Sequence, residues 1–306
     1  MIHALGLAPS LDVVHVVDRV VPGEIHRPTR VVRLAGGKSL NVARALVRLG
    51  HPVRALAPLG GPLGDLVADL LEGSGVELSR LATSAPTRLC LTVADESAGA
   101  LTEFYEHAPD ADGGELDQLE QVLDGVETGD WFVLSGSVPR GTDLDRLVSL
   151  LAGLRGRGAR LAVDTHGPVL PLLVERATPE VVKINRAEAA ELVGRAPDDL
   201  LELGAAVREL GVAVLVLTDG AEGAVGWDGA GAWRVRTDAA PGGYPVGSGD
   251  SFLGGLVGDL ASGADLPAAL VTAAAVGAAN AAVPGGALFD DGTLSRLRTV
   301  TTATAL

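Results

Sequence analysis

Between residues 52 and 220 the chain alternates short runs of β-branched and aliphatic residues with longer, helically spaced stretches. Residues 53–57, 131–134, 161–163, 181–184 and 212–217 have the length and composition of buried strands. Residues 63–71, 144–154, 169–175, 187–193 and 200–210 have the spacing of helices. Strand, helix, strand in regular succession leaves few options. Each helix returns the chain to the starting edge of the sheet, so the sheet is mostly parallel and has helices on both faces. Residues 2–7 add a buried first strand, and residues 224–227 and 232–235 a late antiparallel hairpin across Asp228-Gly229. Apolar residues make up 47% of the chain but aromatics only 3%, so the core is built from small aliphatic side chains that let helices pack closely. A length of 306 residues suits one large α/β domain with a small appendage.

The appendage has its own signature. Residues 13–34 mix valine pairs with His15, Arg19, His26, Arg27, Arg30 and Arg33, a half-buried, half-polar β pattern. A second such patch covers residues 87–93 and 100–106. The two insertions, about 13–34 and 87–106, either form a small separate sheet, a lid over the main domain, or continue the main sheet as hairpins.

Charge narrows the partners. The formal net charge is -15, which argues against nucleic acid and anionic membranes. Any anionic substrate must be held by a few local cations. A single cysteine, Cys90, allows no internal disulfide and no cysteine metal cluster. Residues 264–283 are the most apolar stretch, but Asp265, Pro267 and Asn280 interrupt them, so they read as a buried helix and not as a membrane span. The expected compartment is the cytoplasm.

Two glycine-rich turns carry candidate chemistry. Gly247-Ser248-Gly249-Asp250 follows a turn containing Pro241 and Pro245 and precedes an apolar helix over 251–260. Small residues at a helix start leave backbone N–H groups uncovered where the helix dipole is positive, which suits a phosphate. A carboxylate beside such a site either caps the helix or takes a proton from an attacking hydroxyl. Gly36-Gly37-Lys38-Ser39-Leu40-Asn41 opens another helix. It is not a P-loop, because the position that motif gives to glycine is Val32. Gly36 and Gly37 allow close approach of the backbone to a ligand, Asn41 suits paired sugar hydroxyls, and Lys38 suits a phosphate.

Several expected strands end in polar turns: Asp12 after the first, then Ser135-Gly136-Ser137, Lys183-Ile184-Asn185 and Thr218-Asp219-Gly220 running on to Gly223. In a parallel sheet such ends converge on one edge, where ligands bind. Asn185 and Glu188, three apart at a helix start, are either a capping pair or joint holders of a hydrated Mg²⁺.

Together, the segment from Gly36 to Ala43 with Gly50 and Gly60, and the segment from Pro245 to Asp250 with Gly254, resemble the two signatures of the ribokinase-like (PfkB) carbohydrate kinases. The features Gly37-Lys38, Thr87-Arg88, Thr102-Glu103 and Ser135-Gly136-Ser137 are most similar to the branch containing 1-phosphofructokinase and tagatose-6-phosphate kinase. The resemblance implies a Rossmann-like sheet with a β lid, lids that pair into a homodimer, and transfer of the γ-phosphoryl group of ATP, with Mg²⁺, to a ketohexose phosphate. It implies Asp250 as base, with the backbone of Gly247, Ser248 and Gly249 steadying the transferred group. Asp12, Gly36, Gly37, Asn41 and Ser137 would meet the sugar. Lys38 and Arg88 would meet its phosphate, with Arg27 as a helper from the same or the partner subunit. Lys183, Asn185, Thr218, Gly220, Gly223 and Asn280 would serve the nucleotide, and Asn185 with Glu188 the Mg²⁺ through water. An unphosphorylated sugar or a nucleoside is the alternative acceptor, and a catalytically silent sensor the alternative class. Ser39, where the branch has glycine, is expected to crowd the sugar, and Tyr105 and His107 bring bulk to the lid.

Overall fold

The computed structural model describes residues 1–195 and 199–306. In chain order the first elements are β1 (Ile2–Leu5), β2 (Ser10–Val17), β3 (Arg30–Gly36), α1 (Lys38–Arg48), β4 (Val53–Pro58), α2 (Gly61–Leu71), β5 (Val76–Leu81), β6 (Arg88–Asp95) and β7 (Ala100–Tyr105). Then come α3 (Glu115–Leu123), β8 (Trp131–Ser135), α4 (Leu144–Gly156), β9 (Arg160–Asp164), α5 (Val169–Leu172), β10 (Val181–Asn185), α6 (Arg186–Val193), α7 (Leu200–Arg208) and β11 (Val214–Thr218). The chain closes with β12 (Ala224–Trp227), β13 (Ala232–Thr237), α8 (Ser248–Ala261), α9 (Leu266–Ala281), α10 (Asp291–Thr299) and β14 (Thr301–Ala305).

Ten strands form one sheet in the order β14-β13-β12-β11-β10-β9-β8-β1-β4-β5. The seven from β11 to β5 are mutually parallel, and β12, β13 and β14 are antiparallel additions at one edge. The order turns back on itself at β1, which lies between β8 and β4. That turning point leaves a crevice beyond the carboxyl ends of β1 and β8, the favoured ligand position in such sheets. The insertions do not extend this sheet: β3-β2-β6-β7 is a separate four-stranded sheet.

Alternation along each central strand sorts side chains to the two faces. Leu5, Leu56, Phe132, Leu134, Val163 and Ile184 face one core with α3, α4 and α7. Ala4, Ala55, Ala57, Val133 and Ala162 face the other with α1, α2, α8 and α9. The second face is the small-residue face, and the helices that carry the candidate site residues pack there. Asp265 caps α9 by accepting the Ala268 N–H, with Pro267 in the first turn, so two of the three interruptions that excluded a membrane span are a helix start, and the third, Asn280, lies at the far end of the helix. Among the described residues no helix is long and apolar enough to cross a membrane.

Three expectations need correction. The first strand stops at Leu5, because Gly6 lies against the Ser39 side chain. Residues 18–29 are a connection between β2 and β3 and not continuous β-structure, as their prolines and Gly23 suit. The expected helix over 169–175 is a short α5 followed by a π-helical turn, Leu173–Ala177, that ends at Thr178 with φ 43°. Four elements escaped the sequence reading: β5, α3, α10 and β14. β5 and β14 are edge strands, whose exposed polar positions dilute the apolar signal.

The site depends on how closely α8 lies against α1. A Cβ added to Gly254 would fall 2.8 Å from the Ala45 Cβ and 3.2 Å from the Val42 carbonyl. Gly254→Val therefore forces α8 off α1. The expected cost is about 2 kcal/mol of stability, read by chemical denaturation, together with a fall in turnover larger than that loss of folded protein explains. Wild-type stability and turnover in this variant would show that the two helices are not held by this contact.

Candidate active site

A cleft of about 920 Å³ opens along the carboxyl edge of the large sheet. Asp12, Gly37, Asn41, Arg88 and Ser137 line one end, and Lys38 lies between the two ends. Lys183, Asn185, Glu188, Thr218, Gly220 and Gly223 line the other, and Gly247, Ser248, Gly249 and Asp250 lie on its wall as well. Residues far apart in sequence thus meet because β1, β8, β9, β10 and β11 all end at this edge.

Asp250 lies in the first turn of α8 and is 6% exposed. Burial, and then the charge of Asp164, push its pKa up to about 6 against the pull of Lys38, Asn41 and Lys183. Its Oδ2 accepts from Asn41 Nδ2 at 2.9 Å. A carboxylate tuned toward neutrality at a helix N-terminus has the properties a general base needs. Ahead of it Gly247 has φ 80°, a conformation that favours glycine. The Ser248 N–H is taken by the Pro245 carbonyl at 3.0 Å, and the Ser248 hydroxyl accepts from Asn280 at 3.1 Å. The expected three-amide cradle therefore reduces to the amides of Gly247 and Gly249, with the helix start behind them.

Asp164, at the end of β9, is the residue the sequence reading passed over. It is fully buried and accepts from Lys183 Nζ at 2.7 Å and Lys38 Nζ at 3.3 Å. Burial alone raises a carboxyl, but these two ammonium groups outweigh it and hold Asp164 below the usual carboxylate range. Its signal, an acid closing a strand, was the same one that marked Asp12. Lys38 also lies 3.7 Å from Glu188 Oε1. Burial draws its pKa down, and Asp164, Asp250 and Glu188 more than reverse that. Lys38 thus faces the Glu188 side of the cleft and is tied up there, rather than standing beside Arg88.

Asn185 and Glu188 are a complete capping box: Asn185 accepts the Glu188 N–H and Glu188 Oε2 accepts the Asn185 N–H, each at 2.9 Å. The capping alternative is realised, and it leaves Glu188 Oε1 toward Lys38 and His166. No group of three or more His, Cys, Asp or Glu among the described residues forms a metal cage. A single carboxylate oxygen, Glu188 Oε1, with only the longer contacts to Lys38 and His166, suits an ion that arrives on a nucleotide with its own waters.

At the other end Asp12 accepts from Ser10 Oγ at 2.6 Å, and burial raises its pKa. Arg88 Nη1 and Nη2 donate to the Glu106 and Ala8 carbonyls at 3.0 and 3.2 Å, and Nε is buried with no partner. A buried, unanswered guanidinium N–H at the edge of a cleft is suited to an anion. Asn41 is 4% exposed, and its amide is already engaged by Asp250 and Arg44. The lid adds Glu103 and Tyr105 to the lining, with the Tyr105 hydroxyl donating to Glu103 at 2.6 Å.

Three expectations fail on geometry, and a fourth is narrowed. Asn280 is fully buried and spends its amide on Val246, Ser248, Ser251 and Ala287, so it braces the turn and does not face a base. Gly36 lies under Asp12, where a Cβ would fall 2.0 Å from that carboxyl carbon, so it makes room for Asp12 and does not line the cleft. Arg27 stands exposed on the β2–β3 connection, outside the cleft of its own chain, which leaves the alternative that it serves the partner subunit. Ser39 does not crowd the sugar: it is 1% exposed and its hydroxyl points at Gly6.

The family model for pfkB family carbohydrate kinases matches residues 1–291. The chain belongs to that family. It is a kinase that transfers phosphate to a sugar hydroxyl. The chain is 32% identical over 269 residues to ATP-dependent 6-phosphofructokinase isozyme 2 of Escherichia coli (strain K12), covering 87% of each. It superposes on the crystal structure of phosphofructokinase-2 from Escherichia coli in complex with substrates and products with a TM-score of 0.90, at 29% identity, covering 97% of this chain and 98% of that one. A possible 1-phosphofructokinase from Thermotoga maritima gives 0.89 at 21% identity over 100% and 99% of the two chains, a likeness of fold.

Two consequences for this kinase follow. If Asp250 serves as the base, its raised pKa makes kcat/KM fall as pH drops through about 6, where an ordinary carboxylate would sustain it to about 4. A pH–rate profile checks this, and an acid limb near 4 contradicts the buried-base account. Lys183→Met leaves Asp164 buried with only the longer contact to Lys38. It is expected to lose about 3 kcal/mol of stability in equilibrium denaturation.

Proposed function

We propose that this pfkB kinase phosphorylates a hydroxyl of a ketohexose phosphate, such as fructose 6-phosphate, fructose 1-phosphate or tagatose 6-phosphate, from Mg²⁺–ATP. The observation that carries the reading is Asp250: a buried carboxylate with a raised pKa, beside a helix-start anion site, in the same cleft as Asp12 and Arg88. A relative at 32% identity bears the name of a 6-phosphofructokinase, which favours the fructose phosphates.

The residues then divide the work. Asp12 and Asn41 orient the sugar hydroxyls, and Arg88 holds the phosphate already on the sugar through its free Nε–H. Asp250 takes the proton of the attacking hydroxyl as its oxygen bonds to the γ-phosphorus and the bond from that phosphorus to the β–γ bridging oxygen breaks, releasing ADP. The amides of Gly247 and Gly249 and the Lys38 ammonium stabilise charge on the transferred group, the main task in phosphoryl transfer. Mg²⁺ on the nucleotide neutralises its phosphates, and Glu188 with Asn185 would hold that ion through water. Thr218, Gly220 and Gly223 line the nucleotide end. The chain acts as one domain with a lid made of the two insertions. The lid closes over the acceptor and pairs with a second copy into a homodimer. Its compartment is the cytoplasm, and its partners are small molecules, not nucleic acid or membrane.

One observation favours a second reading. With Lys38 held by Asp164 and Glu188, a single chain gives the acceptor's phosphate little beyond Arg88, a geometry compatible with an unphosphorylated sugar or nucleoside. ADP release from Mg²⁺–ATP over a panel of phosphorylated and free sugars separates the two. The expected result is turnover with ketohexose phosphates, a 10–100-fold higher KM for them in Arg88→Ala, and a loss in Lys38→Ala that falls on kcat and nucleotide KM. Equal turnover of free sugars with no effect of Arg88→Ala makes the second reading correct. ATP binding without turnover of any acceptor makes the chain a sensor.

A further inference from the structure

Arg44, on α1 one turn after Asn41, lies outside the machinery described so far. Its Nη1 donates to Asn41 Oδ1 at 3.0 Å and to the Gly286 carbonyl at 2.7 Å, and its Nη2 donates to the Ala35 carbonyl near the end of β3. The other end of the Asn41 amide donates to Asp250 Oδ2. A carboxamide has one accepting and one donating end, and a guanidinium only donates. Turned over, Asn41 would set oxygen against the Asp250 carboxylate and NH₂ against the Arg44 NH groups, opposing like with like at both ends. A Cβ on Gly286 would fall 2.5 Å from Asn41 Oδ1, so only glycine at 286 leaves this geometry undisturbed.

We propose that Arg44 is a positioning residue for the proton transfer: by donating to Asn41 Oδ1 it fixes the amide so that Nδ2 stays on Asp250 Oδ2, leaving Oδ1 to take the proton of the acceptor hydroxyl. The proposal rests on the kinase reading, in which Asp250 is the base. Burial lowers the Arg44 pKa to about 10, opposed by Asp12 and Asp250, so it stays charged near neutrality. The groups that act on Asp250 are Asp164 from β9, Lys38, Asn41 and Arg44 from α1, and Lys183 from β10. Of these, the Asn41 bond and the cations favour the carboxylate. Releasing Asn41 therefore moves the Asp250 titration upward.

The test is the pH dependence of kcat at saturating Mg²⁺–ATP and acceptor for wild type, Arg44→Met, Arg44→Lys, Asn41→Ala and the Arg44→Met/Asn41→Ala double variant. Arg44→Gln replaces the Met variant if that chain does not fold. Arg44→Met is expected to raise the acid limb by about one pH unit, the size of one lost hydrogen bond to a carboxylate, with the KM for Mg²⁺–ATP within about threefold of wild type. Arg44→Lys, which retains a charged donor, keeps the limb near wild type. Asn41→Ala raises it by a similar amount, and the double variant adds nothing further, as a shared pathway requires. An unmoved limb in Arg44→Met, with only stability reduced, overturns the proposal. So does a double variant that shifts by the sum of the singles, which would make Arg44 act through its charge alone. Asp250→Asn distinguishes the failure of the underlying reading: full turnover in that variant removes Asp250 as base, whereas an inactive Asp250→Asn beside an unmoved Arg44→Met removes only the role of Arg44.

Discussion

The cleft rests on one buried carboxylate. Asp164 has no access to water and holds two ammonium groups, Lys183 at 2.7 Å and Lys38 at 3.3 Å. Two lysines brought to the ends of neighbouring elements without it would repel each other and lose their hydration. With it, their charge remains local and directed. Asp164 also raises the pKa of Asp250, because two carboxylates in one low-dielectric region cannot ionise as easily as one. A single residue thus holds two cations of the cleft in place and raises the pKa of the carboxyl proposed as the base.

The small-residue face of the sheet explains why these charges can be brought together. Ala4, Ala55, Ala57 and Ala162 line it, and Gly254 and Gly255 let α8 approach α1 and α9 closely. Larger side chains there would push α8 outward, separating Asp250 from Asn41. The opposite face carries Leu, Phe and Trp and contributes stability without constraining the site so tightly.

Fold class was legible because the parallel core repeats one strong pattern, and the two glycine turns were legible because few residues other than glycine suit them. Gly247, with φ 80°, and Gly37, with φ 94°, are both at helix starts in the structure. Edge strands β5 and β14 were not legible, since one apolar face on a short strand is a weak signal. The side chains were harder still. Asn280 is polar inside an apolar helix, which marks it as important, but the sequence does not say whether such an amide faces a ligand or braces a turn. Arg44 gave no signal, because a basic residue on an amphipathic helix is ordinarily a solvated one.

Lys38 illustrates the same limit in electrostatic terms. Its place beside the glycine pair suggests the acceptor's phosphate, and in a chain of net charge -15 every cation in a cleft counts. Where it points is decided by the nearest carboxylates, and those are Asp164, which it shares with Lys183, and Glu188. Neither is near Lys38 in sequence; β9 and β10 bring them there. In the proposed kinase reading, Lys38 drawn to that side would answer the negative charge that develops on the transferred group, and Arg88 would be left with the acceptor. A lysine so placed contributes more to the transition state than to ground-state binding of the sugar, because the charge it answers grows only as the phosphoryl group moves.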